Sequence, residues 1–84
     1  MKEGKLIGKI IHYFSNIGVA VVDLKGSLSS GDTIRIIGGE KTDFNQIVDS
    51  MEADHKKTDK AKSGDSVGMK VKEKVREGYK VYKI

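Results

Sequence analysis

The sequence predicts an all-β fold: a single domain over residues 1–84, built as one small antiparallel β-barrel, closed or nearly closed, of about six strands. Three observations predict it. Apolar residues come in short runs rich in Ile and Val, parted by Gly, Ser, Asp and Asn, and no stretch sustains a helical period. The chain has 84 residues, enough for one thin core. A flat sheet of such short strands would leave two open edges, and closure removes them.

The elements follow in order. Leu6–Phe14 is the first run; Ser15-Asn16 turns the chain, and Ile17–Leu24 pairs back as a hairpin. Lys25–Asp32 is a Gly/Ser-rich connection. Thr33–Ile37 is the third strand, ended by Gly38-Gly39, and Phe44–Met51 is the fourth. Residues 52–63 are polar and read as a loop with room for one helical turn. Val67–Lys72 and Tyr79–Ile84 complete the set. A small device precedes three strands: Gly31-Asp32-Thr33-Ile34, Gly64-Asp65-Ser66-Val67 and Gly78-Tyr79-Lys80-Val81. Gly supplies positive φ there, and Asp can accept from nearby backbone amides, so Asp32 and Asp65 read as turn residues and not as catalytic acids.

Composition narrows the function. There is no Cys, hence no disulfide and no thiolate metal site, which fits a reducing compartment. No apolar run approaches the roughly 20 residues of a membrane span, and Lys9 and His12 interrupt any signal-peptide core, so a cytoplasmic protein with no membrane partner is expected. The net charge is +4, unevenly spread: residues 55–84 carry ten Lys/Arg against four Asp/Glu, residues 1–54 six against eight. A basic third on a near-neutral body suits a polyanionic partner, or else keeps a small barrel dispersed in water.

No constellation for catalysis is visible, so an enzyme is not expected. His12 shares its strand face with Leu6, Gly8 and Ile10, and His55 sits in the charged segment; neither has a partner at metal-ligand spacing. No metal and no cofactor are expected. Gly38-Gly39-Glu40-Lys41-Thr42 has Glu where a phosphate loop needs Gly, and no helix follows, so no nucleotide is expected either.

The richest stretch is Val67–Arg76. At period two, Lys70, Lys72, Lys74 and Arg76 fall on one face, about 6.5–7 Å apart if the strand runs that far. Such a ladder can track a nucleic-acid backbone, with Lys56, Lys57, Lys60 and Lys62 assisting, or it can protect an exposed edge. Of the aromatics, Phe44 reads as core, while Tyr13 and Tyr82 are candidate protein-binding platforms or packing residues.

The ordered set of motifs resembles the second domain of translational GTPases such as elongation factor Tu. It rests on Ile7-Gly8-Lys9-Ile10 with Gly18-Val19-Ala20-Val21-Val22, on Gly26 through Ile36, on Thr42–Met51, and on Ala61-Lys62-Ser63-Gly64-Asp65-Ser66-Val67-Gly68-Met69. The chain is also similar to small stand-alone translation elongation factor-like proteins. It departs from them at Arg76-Glu77-Gly78-Tyr79, where Glu is inserted after Arg and Tyr follows Gly. The resemblance implies a translation-protein barrel that contacts RNA or the ribosome through its basic surface. It carries no GTPase activity, because that domain is absent. A related barrel ends some collagenase-like peptidases, which implies the alternative: a protein-docking accessory module for a separate enzyme.

Overall fold

A computed structural model describes residues 4–53 and 56–84; Met1, Lys2, Glu3, Asp54 and His55 lie outside the described residues. The elements are β1 (Lys5–Phe14), β2 (Val19–Leu24), β3 (Leu28–Ser29), β4 (Thr33–Gly38), β5 (Thr42–Ile47), β6 (Met51–Ala53), β7 (Lys56–Thr58), β8 (Lys60–Ala61), β9 (Ser66–Lys70) and β10 (Lys80–Lys83). Among the described residues there is no helix, hence none long and apolar enough to cross a membrane. The all-β, antiparallel character is as expected. One sheet runs β5-β4-β10-β1-β2-β9-β6-β7, and β3 pairs with β8 apart from it.

Alternation builds the core. Ala20, Val22 and Leu24 of β2, Ile34 and Ile36 of β4, Val67 and Met69 of β9 and Val81 of β10 point inward, and their strand neighbours point out. β1 breaks this period twice. Its register skips Ile7 against β10 and Ile11 against β2. Each extra residue bends the strand and raises its twist. The first bulge buries Ile7 and Gly8 in succession; the second leaves Ile10 inside and turns His12 outward, so His12 does not share the face of Ile10.

The curled sheet brings β5 toward the end of β9. There the Gln46 amide donates to the Lys70 carbonyl at 2.8 Å and accepts from the Lys72 amide at 3.0 Å. This contact is a side chain laid across a seam. Among the described residues no ladder joins β5 to β7, so backbone pairing does not close the expected barrel. The reason lies in β6 and β7: β6 pairs with β9 only at Met51 and Glu52, and β7 then presents Lys56 and Lys57 at the sheet's edge.

One end of the curl is plugged by Leu28, Ala61 and Val48, brought in by the β3–β8 pair and the turn beside it. Leu28 is fully buried, which stabilises the fold by about 1.5–3 kcal/mol over leaving it exposed. β5 ends at Ile47, short of the Met51 expected, because the next residue, Val48, turns its bonds elsewhere: its amide donates to the Asp32 carbonyl and its carbonyl accepts from Gly31, both in a turn. Residues 52–63 hold no helical turn among those described; they form β7, β8 and most of β6.

The three repeated devices are one turn used three times. In 29–32, 62–65 and 76–79 the fourth amide donates to the first carbonyl at 3.0–3.2 Å, and the third residue is Gly at φ 92–95°. In the first two, the Asp carboxylate also accepts from the first residue's amide, Ser29 at 2.8 Å and Lys62 at 3.0 Å. Asp32 and Asp65 are thus the turn residues the sequence indicates.

Candidate functional site

The basic stretch does not form a ladder. β9 ends at Lys70, because beyond Met69 no strand of the sheet pairs with it on the β6 side and the Val71 amide bonds Gly18 instead. Residues 72–79 then run without strand pairing, held by Val75, which is 3% exposed. The four cations part company. Lys70 borders a groove, the Lys72 ammonium lies 5.9 Å from the Phe44 ring centroid, and Lys74 and Arg76 flank Val75 at the far end of the curl. β9 is internal in the sheet order, so Lys70 protects no edge, whereas Lys56 and Lys57 on terminal β7 do. Lys60 is exposed on β8, and Lys62 opens the 62–65 turn.

The two tyrosines are also apart. Tyr82 lies opposite Leu6 near the start of β1, and also opposite Arg35 of β4. Tyr13 lies near the end of β1, half-buried against the core. They do not form one patch. His12 is exposed, 3.4 Å from Glu77 and edge-on to Phe14. Among the described residues no group of His, Asp or Glu is placed to hold a metal.

Among the described residues, concavities cluster at the hairpin end, and two of them gather chemically distinct linings. A groove of about 560 Å³ crosses the outer face of β2 and β9, lined by Phe14, Ile17, Val19, Val21 and Gly68, with Ser50, Glu52, Ser66 and Lys70 beside them. Its floor exists because Gly68, paired with Val21 and Glu52, puts no side chain on that face. A glycine inside a strand marks such a close approach, and Gly68 was the available signal for a groove the sequence reading missed. Phe14 and Ile17 stay 43% and 55% exposed on this rim. The second concavity, an open recess of about 760 Å³, brings Tyr13, Lys74 and Arg76 together with Ser15, Thr42 and Tyr79.

Elsewhere on the outer face, the Arg35 guanidinium donates to both Asp43 oxygens at 2.7 and 2.6 Å. That hydrogen bonding, aided by the charge of Arg35, holds the Asp43 carboxyl below its ordinary value.

No protein-family model matches the chain. Over 76 residues, 90% of its length, the chain is 40% identical to an uncharacterized protease of Methanocaldococcus jannaschii, of which it covers 19%. Over 83 residues, 98% of its length, it is 37% identical to a collagenase of Porphyromonas gingivalis, of which it covers 23%. The chain thus spans about a fifth of the length of the curated relatives it matches. Two crystal structures of the C-terminal domain of a Geobacillus thermoleovorans protein described as a U32 peptidase superpose with TM-scores of 0.88 and 0.89. They are 21% and 22% identical, cover 93% and 95% of this chain, and are themselves covered to 98% and 92%; the likeness is one of fold.

These similarities overturn the expected place among translation factors and the expected link to the ribosome. The similar proteins are named a protease and collagenases, and the matching fold is a peptidase's C-terminal domain. The misleading signal was turn chemistry. Gly-Asp before a strand serves any small β-fold that needs an Asp-capped turn with Gly at positive φ.

Proposed function

We propose that this chain is a non-catalytic docking module that serves a collagenase-like peptidase. One observation carries the reading: the match runs along 90–98% of this chain but only 19–23% of proteins named as a protease and a collagenase. The remainder of such proteins is where we place their catalytic body. The docking face we assign is the groove over Gly68. Its apolar lining, including exposed Phe14 and Ile17, sits beside one carboxylate and one ammonium, Glu52 and Lys70. An apolar centre with a charged rim suits a protein partner, whose binding energy would concentrate on a few anchors. The nearly closed barrel belongs to this reading, with Gln46 across the seam keeping the groove rigid.

The test mixes the 84-residue chain with the body of the Porphyromonas gingivalis collagenase made without the region matched here, its folding checked by circular dichroism. Sedimentation should show a complex, weakened about tenfold or more by Val21→Glu at the groove floor. No complex, or one indifferent to Val21→Glu, removes the assignment.

A further inference from the structure

The recess at the end of the curl shares no lining residue with the groove. It is assembled from three places: Tyr13 and Ser15 at the end of β1, Thr42 at the start of β5, and Lys74, Arg76 and Tyr79 in the segment before β10. That segment is well fixed. Val75 is buried, Gly78 donates to the Ile10 carbonyl, and the Ile10 amide donates to Tyr79. The Tyr79 ring lies against Gly38, so close that a Cβ there would collide with the ring carbons. Glycine at 38 is what admits the tyrosine.

Six donor-bearing side chains therefore meet at one recess: an ammonium, a guanidinium, two phenols and two hydroxyls. Among the described residues none of them hydrogen-bonds or forms an ion pair within the chain. Glu77, a carboxylate on the same rim, lies 3.4 Å from His12. A volume of about 760 Å³ falls within the range typical of ligand sites. Unused donors with two cations call for an anionic, acceptor-rich ligand.

We propose that this recess binds an acidic peptide segment. Arg76 and Lys74 take its side-chain carboxylates, and the Tyr13 and Tyr79 hydroxyls donate to its backbone carbonyls. Choosing a peptide among anions rests on the docking reading above. A nucleic-acid backbone fits less well, because the evenly spaced cations it would follow are dispersed: Lys70 borders the groove and Lys72 lies over Phe44.

The probe is a fluorescein-labelled hexapeptide of alternating Gly and Glu, followed by anisotropy against the 84-residue chain at low and moderate salt. Binding should weaken with salt and fall about tenfold in the Lys74→Ala/Arg76→Ala double variant, with a smaller loss in Tyr79→Phe, which keeps the ring on Gly38. Both cations are exposed, so the double variant should keep its circular dichroism and melting point. No peptide binding at low salt, equal binding by the double variant, or equal binding of a Gly/Lys hexapeptide overturns the proposal. So does a single-stranded hexanucleotide that binds tighter than the peptide through Lys74 and Arg76. The docking reading is tested separately, at Val21, so a failure there and a failure of the acidic peptide to bind here are distinguishable.

Discussion

Replacing Gln46 tests whether the curled sheet depends on the side chain laid across its seam. Gln46→Ala removes one bond to the Lys70 carbonyl and one from the Lys72 amide, of 2.8 and 3.0 Å. A protein hydrogen bond contributes about 0.5–1.5 kcal/mol net, so the pair is worth about 1–3 kcal/mol. Gln46 is half-exposed, and water can replace part of what is lost, which favours the lower half of that range. A loss of about 1–1.5 kcal/mol lowers the melting temperature of a domain this size by roughly 4–12 °C. Urea unfolding should show the loss as a lower midpoint at unchanged slope. Gln46→Met keeps the chain length without the amide and should lose about as much as Gln46→Ala. Exchange of the Lys72 amide should accelerate in both variants. If both unfold within about 0.3 kcal/mol of the parent, the seam carries no weight and the reasoning fails.

Other expectations follow from the same geometry. Leu28→Ala empties the plug between the β3–β8 pair and the main sheet, and should cost about 2–5 kcal/mol by chemical denaturation, the range for cavity-forming core truncations. Asp43 should titrate below the ordinary aspartate range by NMR, and Arg35→Met should return it toward that range. Because the folded value is depressed, the stability this pair adds is present above the unfolded pKa and is lost as pH falls through the folded one. An Asp43 midpoint unmoved by Arg35→Met would rule out the hydrogen bond as its cause.

Much of the fold is written in period two. Ala20-Val22-Leu24, Ile34-Ile36 and Val67-Met69 alternate cleanly, and their strands were readable. β1 was readable as a strand but not in its facing, because a bulge at Ile7 or Ile11 leaves no mark in composition. β3 and β8 hold two residues each, too few for any period. β7 is Lys56-Lys57-Thr58, an edge with no apolar side to betray it. The ladder failed for a physical reason. Alternation persists through Val71 and Val75, but a strand needs a partner as well as a pattern, and β6 is too short to supply one. The recess was half legible: Tyr13, Lys74 and Arg76 were singled out, yet nothing local shows that a tyrosine on β1 meets cations some sixty residues on.

The position of β10 sets when the fold can exist. Lys80–Lys83 is the last of these strands to be synthesised, yet it stands in the interior of the sheet, between β4 and β1. Without it the sheet is two fragments, β5-β4 and β1-β2-β9-β6-β7, each with a raw edge where β10 belongs. Contacts so distant along the chain are slow to form, on a scale of milliseconds to seconds. A nascent chain therefore carries both edges exposed until β10 arrives, and its vulnerability to mispairing is a matter of timing, fixed by the order in which these strands are made.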